Sequence, residues 1–224
     1  MARAIPLALA GVAALVITVG QARAEMVFQQ WPPSAPGRTS DLVAGQQIAD
    51  DFTLGQAAQI DSVRWAGAYR NKSTPPPGVD FLVRFFFDAS GVPAATPFYE
   101  ASVDPTFSGF TIDGNPDYPA FLFTAALPLP PMISAATKTW LSIVESDTTT
   151  SSNFLWAHLH LESDPIAVWA TDSTAWDDRQ GTRMAFILEG NISAIPEPAT
   201  FTTFGIGLAC VAVGRAIRRR RRAA

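Results

Sequence analysis

Apolar residues recur at every second position through the middle of the chain, most regularly between Val79 and Phe87. One set (Val79, Phe81, Val83, Phe85, Phe87) falls on one face of an extended segment, and the other set (Asp80, Leu82, Arg84, Phe86) falls on the opposite face. Side chains alternate in this way on a β-strand, so the pattern predicts a strand. Because the second face also carries Leu82 and Phe86, we expect this strand to lie in the middle of a sheet.

The same period of two predicts strands along most of the segment between residues 25 and 194. They are expected at 49–54, 63–69, 98–103, 107–112, 120–125, 139–145, 154–161, 166–170 and 184–189. Clusters of proline and glycine separate them, and residues 31–40, with three prolines, are interpreted as an irregular lead-in. Short strands joined by such turns are typical of an all-β domain, either an antiparallel β-sandwich or a jelly roll.

The charges are distributed unevenly along the chain. Between Glu25 and Ile195, eight Lys and Arg residues oppose nineteen Asp and Glu residues, a formal net charge of −11. Binding of nucleic acid requires a basic surface, so this balance argues against nucleic acid as a partner. The single cysteine, Cys210, excludes an intramolecular disulfide and a cysteine-based metal site. A hydrophobic core must therefore hold the domain together.

Residues 1–24 have the features of a secretory signal peptide. Arg3 supplies the positive start, residues 7–19 form an apolar stretch, and Ala22-Arg23-Ala24 gives the small-x-small pattern that precedes a cleavage site. The apolar stretch is short for spanning ~30 Å of hydrocarbon. We therefore predict a signal helix that is removed by cleavage before Glu25.

The last thirty residues, 195–224, combine three features in order. Pro196, Glu197 and Pro198 come first, and residues 199–214 carry no charge. A basic cluster of Arg215, Arg218, Arg219, Arg220, Arg221 and Arg222 follows. The uncharged segment, although of marginal length, predicts a transmembrane helix, and the positive-inside bias places the arginines in the cytoplasm. Together with the signal peptide, this topology places residues 25–194 on the outer side of the inner membrane.

This order of elements resembles the PEP-CTERM sorting signal of Gram-negative bacteria. The resemblance implies that an exosortase, a membrane cysteine protease, recognises Pro196, Glu197 and Pro198 and processes the tail while it is transiently anchored in the inner membrane. It also implies an exported protein of the cell surface or the extracellular matrix, because such proteins commonly accompany exopolysaccharide production. The stretches 47–54, 60–65 and 139–143 resemble the β-rich exported domains found with such tails, which implies a fold and no particular chemistry.

The segment 154–162 contains both histidines of the chain. On a strand, one face would carry the core residues Leu155, Ala157, Leu159 and Leu161, and the other would carry Phe154, Trp156, His158, His160 and Glu162. His158, His160 and Glu162 would then be candidate ligands for a transition metal, as in a cupin-like protein. The alternative is a half-exposed face whose polar residues meet solvent.

Two acidic pairs, Asp50-Asp51 and Asp177-Asp178, are candidate ligands for Ca²⁺. Neither lies in a loop with the alternating oxygen ligands and glycine of an EF-hand. We interpret both pairs as solvated loop acids.

Three tryptophans, Trp156, Trp169 and Trp176, are candidates for carbohydrate binding, with hydrogen-bonding groups supplied by residues 177–180. An exposed indole beside polar groups stacks well on a sugar ring, although tryptophan is more often a core residue. The sequence has no nucleophile elbow, phosphate-binding loop or zinc-protease motif. We therefore expect a non-enzymatic protein, with a carbohydrate-active hydrolase as the alternative, because such an enzyme needs only two suitably spaced carboxylates.

Overall fold

The computed structural model describes residues 24–70, 73–112, 119–146, 153–159, 164–170, 175–181 and 183–192. These residues form fourteen strands and no helix. The strands are β1 Glu25–Gln30, β2 Ala35–Thr39, β3 Gln46–Thr53, β4 Ala58–Tyr69, β5 Phe81–Phe87, β6 Tyr99–Val103, β7 Thr106–Thr111, β8 Pro119–Ala126, β9 Met132–Ile133, β10 Lys138–Glu145, β11 Phe154–His158, β12 Asp164–Ala170, β13 Asp177–Gly181 and β14 Phe186–Ile192. The prediction of an all-β domain is confirmed.

The strands pair into two antiparallel sheets. The larger sheet follows the order β1-β14-β4-β11-β2, with β8 and β9 also paired to β4 and β7 paired to β8. The smaller sheet follows the order β13-β12-β3-β10-β5-β6. Strand β5 pairs with β10 on one side and β6 on the other. The expected place of this strand in the middle of a sheet is therefore confirmed.

The main core lies between the two sheets and is rich in aromatic side chains. Trp65 of the larger sheet packs edge-on against Phe81 of the smaller sheet, with ring centroids 5.2 Å apart. Phe186 and Phe52 make a similar contact at 5.9 Å. Full burial of a large apolar side chain contributes roughly 1.5–3 kcal/mol, so contacts of this kind hold the sheets together without a disulfide.

Each sheet also carries apolar residues on its outer face. Next to Trp65 on β4, Ala66 points away from the core into a cluster with Ala157 and Ala185, against which Trp31 and Phe110 pack. A second cluster covers the outside of the smaller sheet and consists of Ala49, Phe86, Trp140, Ala167 and Trp176. The two outer faces are therefore partly covered, and the simple rule of one buried and one exposed face does not apply here.

Two sequence predictions are wrong in this part of the fold. Residues 35–39 form β2, which pairs with β11, although the prolines of 31–40 favoured an irregular segment. The faces of β11 are also reversed, since Phe154 and Trp156 lie in the main core and are fully buried. Ala157 lies in the outer cluster beneath Trp31. The predicted alternation of β11 is correct. Because residues on both of its faces are buried in apolar clusters, the polarity of the side chains could not indicate which face meets the main core.

The predicted signal helix at 1–24 and the predicted transmembrane helix at 199–214 lie outside the described residues, as does the sorting tail. Within the described ranges, no helix has the length and apolar character needed to cross a membrane.

Replacing Gly190 with alanine is expected to destabilise the domain by about 3 kcal/mol. A Cβ atom at Gly190 would lie 1.9 Å from the backbone oxygen of Gln59 on β4, at a point where the strand register shifts. Gly109→Ala on β7 is the matched control, because nothing lies within 4 Å of its Cβ position. Urea unfolding of both variants is the measurement, and equal losses of stability would contradict the close approach of β14 and β4.

Candidate functional site

A pocket of about 210 Å³ lies on the outer face of the smaller sheet. We call it the tryptophan pocket. It is lined by Gln47, Arg84, Phe86, Ala95, Pro97, Glu100, Trp169 and Trp176. The pocket therefore brings together Trp169 and Trp176, two of the three tryptophans that the sequence indicated as candidates for carbohydrate binding.

Strand register places the polar groups of this pocket in one row across the sheet. Trp169 of β12 lies opposite Gln47 of β3, and Arg84 of β5 lies opposite Glu100 of β6. Ser142 of β10 lies opposite Arg84 and completes the row. Directly opposed residues on one face of a sheet are close enough to interact. The row therefore follows from strand alternation combined with the pairing order.

Hydrogen bonds link this row into a continuous chain. The Gln47 amide donates to the Ser142 hydroxyl at 2.8 Å, and Arg84 donates through Nη1 to Gln47 Oε1 at 2.9 Å. Arg84 also donates through Nε to Glu100 Oε2 at 2.6 Å. The Arg84 side chain is 18% exposed and that of Glu100 is 46% exposed. Since ion pairs this accessible contribute little to stability, the main consequence is that Arg84 is held in a fixed position with its charge balanced.

Aromatic rings form the apolar part of the pocket. The rings of Trp169 and Trp176 meet at 5.6 Å with an interplanar angle of 73°, and those of Phe86 and Trp176 meet at 5.4 Å and 80°. Such edge-to-face contacts are favourable and fix the orientation of the rings. Trp169 is only partly buried, so part of its indole remains accessible to a ligand.

The indole nitrogen of Trp176 is buried and has no acceptor among the described residues. Trp176 is 9% exposed, and its Nε1 has no hydrogen-bond partner in the part of the chain that the structure describes. A buried indole N–H normally finds a partner, and leaving one unpaired costs about 1–3 kcal/mol. The pocket thus combines flat apolar area with a fixed set of polar groups. This composition suits a small polyhydroxylated ligand.

Trp156, the third candidate tryptophan, cannot stack on a sugar ring because its side chain is not exposed. It is fully buried in the main core, and its Nε1 donates to the Ala185 carbonyl oxygen at 3.1 Å. Asp177, the one residue of 177–180 whose side chain the structure describes, is not among the residues that line the pocket. Asp177 is exposed, and the side chains of residues 178–180 lie outside the described part.

The predicted metal site can be placed only in part. His158 ends β11 and is partly buried, with Nδ1 3.1 Å from the carbonyl oxygen of Leu159. His160 and Glu162 lie outside the described residues. Among the residues that are described, no group of three or more His, Cys, Asp or Glu side chains could hold a metal ion.

The interpretation of Asp50 and Asp51 as solvated loop acids is wrong, because both lie on β3 and are buried. Neighbouring side chains on a strand point to opposite faces, so the two carboxylates cannot form one Ca²⁺ site. Asp51 pairs with Lys138 at 3.3 Å. Asp50 is fully buried and accepts a hydrogen bond from the Met184 backbone N–H at 2.6 Å.

Burial raises the pKa of Asp50 to about 8, although the Met184 hydrogen bond and the charge of Arg183 partly oppose this effect. Its second oxygen, Oδ1, has no hydrogen-bond partner among the described atoms. A carboxyl group with these surroundings is mostly protonated at neutral pH. Asp50 is therefore a neutral, buried acid.

Sequence reasoning missed the polar half of the tryptophan pocket. Gln47, Arg84 and Glu100 come from three strands whose pairing is not encoded locally. One signal was available, because the alternation of β5 places Arg84 and Phe86 on the same face. Nothing in the sequence linked that face to Trp169 or Trp176.

The comparisons with known proteins concern the C-terminal tail. Residues 194–221 match the model of the PEP-CTERM protein-sorting motif, which confirms the resemblance noted from Pro196, Glu197, Pro198 and the arginine cluster. No curated protein and no solved structure matches the chain with significance. Exosortases recognise this motif. The chain therefore carries a PEP-CTERM protein-sorting motif at residues 194–221 and is an exported protein sorted to the cell envelope.

Proposed function

We propose that this chain is a non-enzymatic carbohydrate-binding protein of the cell surface or extracellular matrix, which uses the tryptophan pocket to hold exopolysaccharide. In this account an exosortase processes the tail while residues 199–214 anchor the chain transiently in the inner membrane. The observation that carries the binding role is the pairing of Trp169 and Trp176 with the hydrogen-bonded row of Gln47, Arg84 and Glu100. The sorting motif supports the same role by delivering the domain to the envelope.

Binding is favoured over hydrolysis by the chemistry of the pocket. A glycosidase generally needs two carboxyl groups on either side of the bond that it cleaves. Among the described residues that line the pocket, Glu100 is the one carboxylate, and Arg84 neutralises it at 2.6 Å. A single carboxylate held in this way can accept hydrogen bonds from hydroxyl groups, but it cannot supply both carboxyl roles of a glycosidase.

Trp169→Ala is expected to weaken retention of the host exopolysaccharide at least tenfold, because it removes the accessible ring of the pocket. Retention is measured by affinity electrophoresis of the mature protein in gels that contain the polysaccharide. Trp31→Ala is the matched control, since Trp31 is also partly buried but packs outside the larger sheet against Phe110. We expect this control to retain normal binding.

An assay of reducing ends on the same samples tests the alternative of a hydrolase. We expect no release above the level of a heat-inactivated sample. Steady release that is lost in a Glu100→Gln variant would replace the binding proposal with a hydrolytic one. Equal retention of wild type and the Trp169→Ala variant would show that the tryptophan pocket does not bind the polysaccharide.

A further inference from the structure

The described residues that line the tryptophan pocket carry no net charge. Their single cation, Arg84, is ion-paired with Glu100. An anionic ligand would have to break that pair or approach Glu100 closely, and both are costly. The formal charge of −11 on residues 25–195 adds a long-range repulsion for anionic polymers. The electrostatics of the pocket therefore favour an uncharged ligand.

The polar groups of the pocket match hydroxyls in particular. A hydroxyl group both donates and accepts hydrogen bonds, whereas an ionised carboxylate only accepts. Adjacent hydroxyls can accept from Arg84 and donate to Glu100 at the same time, so they satisfy a pair whose donors and acceptors lie side by side.

The size of the pocket limits how much of a polymer it can hold. Its volume of about 210 Å³ is below the ~300–1,000 Å³ of clefts that enclose a drug-sized ligand. The exposed residues Ala95 and Glu100 lie among its lining residues, so the pocket communicates with solvent. One sugar ring fits this volume better than a run of several rings.

We infer that the tryptophan pocket binds a single neutral pyranose ring, at the end of a polysaccharide or on a side branch, and discriminates against uronic acids. Trp169 supplies the stacking surface, and Arg84 and Glu100 bind adjacent hydroxyls. This inference rests on the proposed carbohydrate-binding function and specifies the class of sugar for the same site.

Competition with small sugars tests the inference. The mature protein is first bound to host exopolysaccharide and then displaced with methyl pyranosides of the gluco, galacto and manno series, or with the corresponding methyl uronides. At least one neutral pyranoside is expected to displace the protein at a concentration tenfold lower than its uronide. Equal or stronger displacement by the uronide would overturn the inference.

Two conservative variants separate the roles of the polar groups. Arg84→Lys keeps the positive charge but removes the side-by-side donors of the guanidinium group, and we expect roughly three- to tenfold weaker displacement by the neutral sugar. Glu100→Gln keeps the shape of the side chain but removes its charge. The preference for the neutral pyranoside over its uronide should therefore fall at least threefold. Trp31→Phe serves as the control with unchanged preference. An unchanged preference in Glu100→Gln would show that Glu100 does not exclude anionic sugars.

The outcomes also separate this inference from the proposed function. If the polysaccharide is retained through Trp169 but no neutral monosaccharide displaces the protein, the single-ring inference is wrong and the proposed function stands. If the polysaccharide is not retained at all, both are wrong. Displacement by neutral sugars together with weaker displacement by uronides supports both.

Discussion

Asp50→Asn is expected to make the protein more stable at pH 8 and to remove most of the pH dependence of its stability between pH 4 and pH 8. Burial raises the pKa of Asp50 from 3.8 to about 8 in the folded protein. Between these values the folded state holds a proton that the unfolded state has released, so the free energy of unfolding falls as the pH rises. At a cost of about 1.4 kcal/mol for each pH unit, the total loss is on the order of 5 kcal/mol. The dependence ends above the folded pKa, where both states are ionised.

Asparagine resembles the protonated acid in shape and keeps a carbonyl oxygen for the Met184 N–H. Urea unfolding of wild type and Asp50→Asn at pH 5 and pH 8 measures the effect. Asp104→Asn is the control, because Asp104 is exposed after β6. If wild type and Asp50→Asn lose equal stability between the two pH values, Asp50 is not a neutral acid in the folded state.

Replacing Pro196, Glu197 and Pro198 with alanine is expected to block processing of the tail almost completely. These residues lie within the sorting motif at 194–221. Under the proposed transient anchoring by residues 199–214, a chain that exosortase does not recognise should remain in the inner membrane. Fractionation of the producing cells is the measurement. We expect at least a tenfold shift of the protein from the envelope surface or medium to the inner membrane.

A matched control for this variant exists within the β-sandwich. Pro128, Leu129 and Pro130 form another Pro-x-Pro segment, between β8 and β9, and both Pro128 and Leu129 are exposed. Alanine at these three positions is expected to leave sorting unchanged. Normal surface delivery of the variant without Pro196, Glu197 and Pro198 would contradict the role of the motif.

The fold was largely predictable because strand alternation is a local property. The pattern of β5 correctly placed Phe81, Val83 and Phe85 on one face and Arg84 on the other, and the apolar residues on both faces correctly indicated a strand within a sheet. The same logic failed at Asp50, where an acidic side chain that is neutral in the folded protein occupies a core position and interrupts the apolar period. It also failed at Trp156, since apolar residues line both faces of β11.

The candidate site was only half predictable, because it depends on pairing between distant strands. Trp169 and Trp176 were visible as tryptophans near each other in the sequence. Gln47, Arg84 and Glu100 join them only because β3, β5 and β6 belong to the same sheet as β12. Local sequence patterns do not determine the order of the strands. Gln47, Arg84 and Glu100 could therefore be identified only from the strand pairing in the structure.

The central claim is that the exported β-sandwich binds sugar in the tryptophan pocket. A crystal structure of the mature protein, soaked with the neutral pyranoside that competes best, tests this claim most directly. The account predicts one ring in van der Waals contact with the Trp169 indole and a hydroxyl oxygen within hydrogen-bond distance of Glu100. A sugar bound at another surface, with this pocket empty, would contradict it.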